Sequence, residues 1–319
     1  MLNLIQGHPQ VHSPGDFMKM TFKATVCAAV LVLLCGAATF AGGSDNKPLI
    51  RVGVDTVFVN VTVVDPLNRC VTGLEQDVFR VFENKVEQKI AYFSEEEAPV
   101  SVGILFDRSG SMKANNNIEA ARSAIVRFMQ SANPEDEFFL VTFNQDAALV
   151  TDFTHESGSI AGEIALDQPS GRTAVYDAVY MGLQKIKKAS NERKALILIT
   201  DGEDNSSRYS PAEVKELARE MDVPIYGIGE QGELGYGRFD IEEIVDMTGG
   251  RAFFPNSFNE LDYYIDLIHA ELRNQYVLGY VPSNKAHDGK WRRIQVKLDA
   301  PQGLPRLVVR SREGYYASK

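Results

Sequence analysis

Residues 100–106 (Val-Ser-Val-Gly-Ile-Leu-Phe) and 195–199 (Ala-Leu-Ile-Leu-Ile) are apolar runs with no polar face. A strand of that composition is stable only when both of its faces are covered, as in a parallel sheet packed between helices. The neighbouring segments supply those helices. Ile118, Ala121, Ile125, Phe128 and Met129 form one stripe of residues 117–132, and Val179, Leu183 and Ile186 form one side of residues 173–190. Further strands are predicted at 138–143, 147–153, 223–228 and 251–254. A helix opens at Ser210, with a hydroxyl at the N-cap, Pro211 at N1 and Glu213 at N3. Another begins near residue 240 and stops at Gly249 in the C′ position, and a last one is capped by Ser257 and runs to about Arg273. Strand and helix alternate throughout, which predicts an α/β fold: a doubly wound, mostly parallel central sheet with helices on both faces.

The flanks read differently. Val57, Val59, Val61 and Val63 alternate with mostly polar neighbours, and residues 79–93 read as a hairpin with Glu83, Asn84 and Lys85 at its tip. After Gln275, strands are predicted at 276–281, 291–298 and 307–310. In the second of these, Arg292, Ile294, Val296 and Leu298 share one face and Trp291 takes the other. Each flank is too short for a core of its own. Residues 42–98 and 274–319 are therefore expected to form a small β-rich module, with residues 50–95 packing on the C-terminal segment and the α/β domain of residues 99–273 inserted between.

Residues 1–41 read as an export signal with an upstream extension before Met18 or Met20. Lys19 and Lys23 precede the apolar residues 24–34, and Thr39, Phe40 and Ala41 provide a cleavage site. That apolar core is short against the roughly 20 residues of a bilayer span. The expected location is periplasmic or secreted, with an inner-membrane anchor formed by residues 24–41 as the alternative. The net charge is −10, and it becomes −11 once two lysines and one aspartate leave with residues 1–41. With no basic stripe, that balance excludes a nucleic-acid binder. Of three cysteines only Cys70 survives cleavage, so neither an internal disulfide nor a cysteine metal site is expected, and Cys70 reads as a buried structural thiol.

Chemistry concentrates where the apolar runs end. Asp107-Arg108-Ser109-Gly110-Ser111 follows the first run, and its carboxylate and hydroxyls are hard oxygen donors suited to Mg²⁺, Mn²⁺ or Ca²⁺. Open α/β sheets bind ligands at this end of their strands. Alone, the same residues are ordinary turn and cap formers. Two further donors belong to the same sheet edge: Asp201, in Thr-Asp-Gly after the second run, and Thr173, after Gly171 and Arg172. Glu203 and Asp204 are candidates for the metal rim or for a solvated acidic loop. Arg108 and Arg172 are candidates for a rim that attracts an acidic ligand. Asp177 reads as a favourable charge at a helix N-terminus.

Asp-x-Ser-x-Ser at 107–111, then Thr173, then Asp201 in Thr-Asp-Gly resembles the metal-ion-dependent adhesion site (MIDAS) of von Willebrand factor type A domains, across residues of about 99–273. The flanking motifs Val71-Thr-Gly-Leu74, Asp77-Val-Phe79, Gln88-Lys-Ile90, Tyr276-Val-Leu-Gly-Tyr280 and Arg312-Glu-Gly-Tyr-Tyr316 resemble the bacterial VWFA-related proteins common in Acidobacteria, so that the resemblance covers nearly all of the mature chain. It implies that Ser109 and Ser111 bind the cation directly, Thr173 directly or through water, and Asp107 and Asp201 mostly through coordinated waters. Mg²⁺ is the first expectation, with Mn²⁺ or Ca²⁺ also suited. The implied function is a non-enzymatic, extracytoplasmic adhesion module whose protein partner offers an Asp or Glu to the metal. A scaffold subunit of a cell-envelope complex, with a structural metal, is the alternative. A hydrolase is a poorer fit: an aspartate-nucleophile phosphatase wants a second carboxylate where Ser109 stands, and no Gly-x-Ser-x-Gly elbow, Walker loop or placed histidine base is present.

Overall fold

β5 (Val100–Asp107) is buried along its whole length and forms the centre of a six-stranded sheet. The structure is a computed structural model and describes residues 56–166, 168–201, 204–229, 238–299, 303 and 306–319. The expected export signal, the linker after it and Glu203 lie outside the described residues.

Four strands precede β5: β1 (Val57–Val64), β2 (Phe79–Glu83), β3 (Val86–Gln88) and β4 (Ile90–Ser94). The alternation expected after it follows, as α1 (Asn117–Gln130), β6 (Glu137–Phe143), β7 (Ala147–Thr154), α2 (Ser157–Leu166), α3 (Val175–Ile186), β8 (Arg193–Thr200), α4 (Pro211–Glu220), β9 (Ile225–Gly229), α5 (Arg238–Met247), β10 (Arg251–Phe253) and α6 (Leu261–Arg273). The sheet order is β10-β9-β8-β5-β6-β7, parallel except for the antiparallel edge strand β7. Successive side chains of each strand point to opposite faces, so each face carries its own core. Val102, Ile104 and Phe106 pack with residues of α1, α2 and α6; Leu105 packs with residues of α3, α4 and α5. The doubly wound α/β class is therefore realised, and a β5 covered on both faces is what it requires.

Local signals account for the helix ends. Glu213 N–H donates to the Ser210 hydroxyl at 3.4 Å, and Ser210 N–H donates back to the Glu213 carboxylate at 2.8 Å, with Pro211 at N1. Gly249 has φ +80° after α5, and a Cβ there would stand 2.6 Å from the carbonyl carbon of Ser311. One helix is not anticipated by the sequence: α2, where Ile160 and Ile164 turn into the core.

The remaining strands are β11 (Tyr276–Tyr280), β12 (Trp291–Leu298), β13 (Val308–Arg310) and β14 (Gly314–Tyr316). They pair with the N-terminal strands in two four-stranded sheets, ordered β13-β1-β11-β4 and β14-β12-β2-β3. Val59, Val61, Val63, Val81, Leu278, Ile294 and Val296 fill the core common to the two. The expected hairpin at 79–93 is divided: β2 and β3 pair with each other, while β4 joins β11 in the other sheet. Among the described residues, no helix is long and apolar enough to cross a membrane.

Candidate metal centre

β5 lies between β6 and β8; the chain leaves β5 for α1 on one face of the sheet and leaves β8 for α4 on the other. Its C-terminal end is therefore a topological switch point, where this class of sheet opens a crevice. Phe106 pairs with Ile199, which puts Asp107 beside Thr200 and brings the starts of the two loops together. The Thr200 hydroxyl donates to Asp107 Oδ2 at 2.6 Å, and Ser109 N–H donates to Asp107 Oδ1 at 2.7 Å. From there a chain of oxygens crosses to the next loop. Ser109 Oγ and Ser111 Oγ are 2.9 Å apart, and Ser111 Oγ donates to Asp201 Oδ1 at 2.6 Å. Asn117 Nδ2 donates to the other oxygen, Asp201 Oδ2, at 3.2 Å.

Thr173 comes in on a third loop. Gly110 N–H donates to Gly171 C=O at 3.0 Å, and Ser170 N–H donates to Arg108 C=O at 2.8 Å, so two backbone bonds stitch this loop to the 107–111 loop. Asn205 clamps Thr173 from the other side: Thr173 N–H donates to Asn205 Oδ1, and Asn205 N–H donates to Thr173 C=O, both at 2.9 Å. That pairing holds Thr173 out of α3, which begins at Val175 and not at residue 173 as its periodicity implied. Thr173 is buried just before the helix.

The rim candidates divide. Arg172 is exposed next to Thr173. Arg108 is half-buried, and its N–H donates to Phe143 C=O at 2.8 Å, tying the loop to β6. Asp204 turns away to the first turn of α3, where its carboxylate accepts from Tyr176 N–H at 3.2 Å and from the Ser207 hydroxyl. A helix N-terminus favours a carboxylate through its free N–H groups and dipole, so Asp204 is engaged there. Asp177, in the same turn, does more than complement the dipole. It is buried and accepts from Arg208 N–H and Tyr209 N–H at 2.9 and 3.0 Å, and from Arg208 Nε at 2.9 Å, which fixes the course of the 204–209 loop.

Electrostatics favour a cation between these loops. Asp107 is fully buried, and burial pushes its carboxyl up to about 6, with the nearby Asp201 adding to the rise and the Thr200 and Ser109 donors opposing it. Its hydrogen-bond donors, Thr200 and Ser109, are neutral, so the charge itself is solvated but not cancelled. Among the described residues no three His, Cys, Asp or Glu side chains converge as a metal cluster. The convergent set is instead two carboxylates and hydroxyls, which fits a hard divalent cation and lacks the nitrogen and sulfur that zinc prefers. Thr200, Asn117 and Asn205 are the members that sequence patterns left unassigned. The one signal for Asn117 is the run Asn115-Asn116-Asn117: the first two take left-handed backbone at φ +48° and +64°, which Asn tolerates, and this turns the third inward.

Known proteins resemble this chain in sequence and fold. Residues 101–266 match the von Willebrand factor type A domain model. The chain is 27% identical over 259 residues to inter-alpha-trypsin inhibitor heavy chain H4 of Sus scrofa, covering 72% of this chain and 26% of that protein. It is 30% identical over 173 residues to calcium-activated chloride channel regulator 3A-1 of Mus musculus, covering 52% and 18% respectively. The chain thus spans about a quarter or less of these curated relatives. Among solved structures, a von Willebrand factor type A protein from Catenulispora acidiphila superposes with TM-score 0.50 at 14% identity, covering 81% of this chain and 73% of that one. Proximal thread matrix protein 1 from the mussel byssus, described with a zinc occupied MIDAS motif, superposes with TM-score 0.50 at 22% identity, covering 60% and 49%. These two likenesses are of fold. Matched over more than half its length, and with a switch point built from β5 and β8, the chain belongs to the von Willebrand factor type A domain family.

Proposed function

We propose that the chain is a non-enzymatic, extracytoplasmic binding module that holds a divalent cation through Ser109, Ser111 and Thr173, with Asp107 and Asp201 behind coordinated waters, and offers it to an Asp or Glu of a protein partner. The observation that carries this reading is the oxygen chain from Asp107 through Ser109 and Ser111 to Asp201, spanning the ends of two adjacent parallel strands. A bound Mg²⁺ supplies an electrophilic coordination position. The two carboxylates balance its charge from nearby, while neutral hydroxyls leave the inner shell short of anions, so an external carboxylate is an attractive ligand. Exposed Arg172 adds long-range attraction for an acidic surface. The zinc occupied MIDAS motif named for the mussel protein supports a cation at the equivalent edge, and the hard donors here favour Mg²⁺ or Mn²⁺ over zinc. The extracytoplasmic assignment rests on the n-region, h-region and cleavage pattern of residues 1–41.

Thermal unfolding with Mg²⁺, with Mn²⁺ and with chelator, on wild type and Asp107→Ala, tests the metal. At 100-fold excess over the dissociation constant the ion adds about 2.7 kcal/mol, and the variant loses that gain. An unmoved wild-type transition with every divalent ion would remove the metal from the function. Partner capture with and without chelator tests the adhesive role, and capture indifferent to chelator points to a scaffold instead.

A further inference from the structure

The opposite end of β5 and β8 holds a second concave feature. There a cleft of about 870 Å³ opens between the α/β layer and the flanking β-strands. It is separated from the metal loops by the length of an eight-residue strand, roughly 23 Å. The volume falls within the range of small-molecule sites. Phe58 and Tyr92 form an aromatic wall, edge to face with centroids 5.5 Å apart, and Val277 and Pro99 extend the apolar lining.

Arg193, the first residue of β8, also lines the cleft, and its side chain is incompletely paired. The residue is only 7% exposed. Its Nη2 donates to Glu96 C=O at 2.5 Å, but Nη1 is buried without a hydrogen-bond partner. Among the described residues Arg193 has no carboxylate within ion-pair distance, and the neighbouring cation, Arg273, is tied to Asp136. Burial first, then Arg273, draws the Arg193 pKa below its ordinary value, and the charge of Glu97 at the mouth opposes that fall. A buried cation with no carboxylate in contact is destabilising, and an orphaned donor adds its own desolvation penalty. An anion in the cleft removes both.

The charges at the mouth restrict that anion. Glu96, Glu97 and Glu192 line the cleft and are exposed to solvent. They repel a ligand with several negative charges before it reaches Arg193, while a single carboxylate can trade that repulsion for the buried pair. We propose that this cleft binds an organic monocarboxylate with an apolar or aromatic body: the carboxylate pairs with the Arg193 guanidinium, and the body packs on Phe58, Tyr92 and Val277.

Calorimetric titration of the full chain in chelator, so that the metal loops do not contribute, tests this with phenylacetate against citrate. Saturable phenylacetate binding and no citrate binding are expected. Arg193→Met keeps the apolar stem and removes the unpaired charge, so it should melt no lower than wild type and bind phenylacetate at least tenfold more weakly. Tyr92→Ala leaves the cation in place and should also weaken binding several-fold, which keeps the test decisive if Arg193→Met folds poorly. The proposal fails if wild type shows no saturable phenylacetate binding, if citrate binds as well, or if Tyr92→Ala and Arg193→Met both bind like wild type.

Discussion

Gly103 sits at the centre of β5, four residues before Asp107, on the face that receives α3. A Cβ at this position would stand 2.2 Å from Phe139 Cζ and 2.6 Å from Leu196 Cδ2. Both neighbours are fully buried in the core on that face, and Phe139 is further held edge to face against Phe153 at 5.1 Å. Neither ring nor leucine can withdraw without moving its own neighbours. Overpacking of a tight core costs about 1–3 kcal/mol, and contacts this short belong at the upper end. Alanine recovers about 0.5–1 kcal/mol of strand preference over glycine. Gly103→Ala is therefore expected to destabilise the protein by about 2 kcal/mol, lowering the melting temperature by about 4–8 °C at roughly 2–4 °C per kcal/mol for a domain of this size. Melting in chelator isolates the effect from metal binding. Phe139→Leu removes the ring edge that meets the new methyl, so the double variant should be less destabilised than the two single changes added, with a coupling of about 1–2 kcal/mol. If Gly103→Ala melts with wild type, or Phe139→Leu rescues nothing, then close packing beneath Asp107 does not set the position of β5 and the reasoning is wrong.

Two other predictions concern single side chains. Asn117→Ala removes the donor to Asp201 Oδ2 from a buried site; it should cost about 1–2 kcal/mol and shrink the Mg²⁺-induced shift several-fold, which paired melts with and without Mg²⁺ will show. The Cys70 thiol is pushed up to about 11, by burial first and then by Glu271. At pH 8 only about 0.1% is then thiolate, the reactive form. Iodoacetamide labelling of the Cys70 peptide, followed by mass spectrometry, should be about a hundredfold slower in the native protein than in denaturant. Equal rates would show that the thiol is an ordinary one.

Much of the α/β framework was legible because its signals are local and redundant. β5 and β8 lack a polar face, and α4 announces itself with a hydroxyl, a proline and a glutamate in three consecutive roles. α2 was not legible because Ser157–Leu166 carries glycine at 158 and 162 beside the inward-facing Ile160 and Ile164, so its periodicity is faint. The division of residues 79–93 between two sheets was hidden for another reason. β4 is drawn away by β11, whose Tyr276–Tyr280 lies far along the chain, and no pattern within the hairpin reports a partner at that distance. β14 was missed as a strand because it is three residues long and begins with a glycine. That glycine is required by contact: a Cβ on Gly314 would stand 2.6 Å from Trp291 Cζ2.

The candidate site follows the same rule, and its hidden part is the more instructive. Asp107, Ser109, Ser111, Thr173 and Asp201 could be listed because each stands just past a strand or before a helix. The groups that hold them could not. Thr200 reads as the polar end of an apolar strand and Asn117 as an unremarkable helix start, yet each donates to one of the two carboxylates. Both donors are neutral. A lysine or arginine in either place would bind its carboxylate more tightly, by about twofold for a charge-assisted bond, and would also cancel the charge that a cation needs. Neutral donors orient Asp107 and Asp201 while leaving two negative charges in place, one of them buried. That arrangement is costly without a cation and favourable with one, so the choice of Thr200 and Asn117 over basic residues is itself an argument that the split oxygen site is built around a metal.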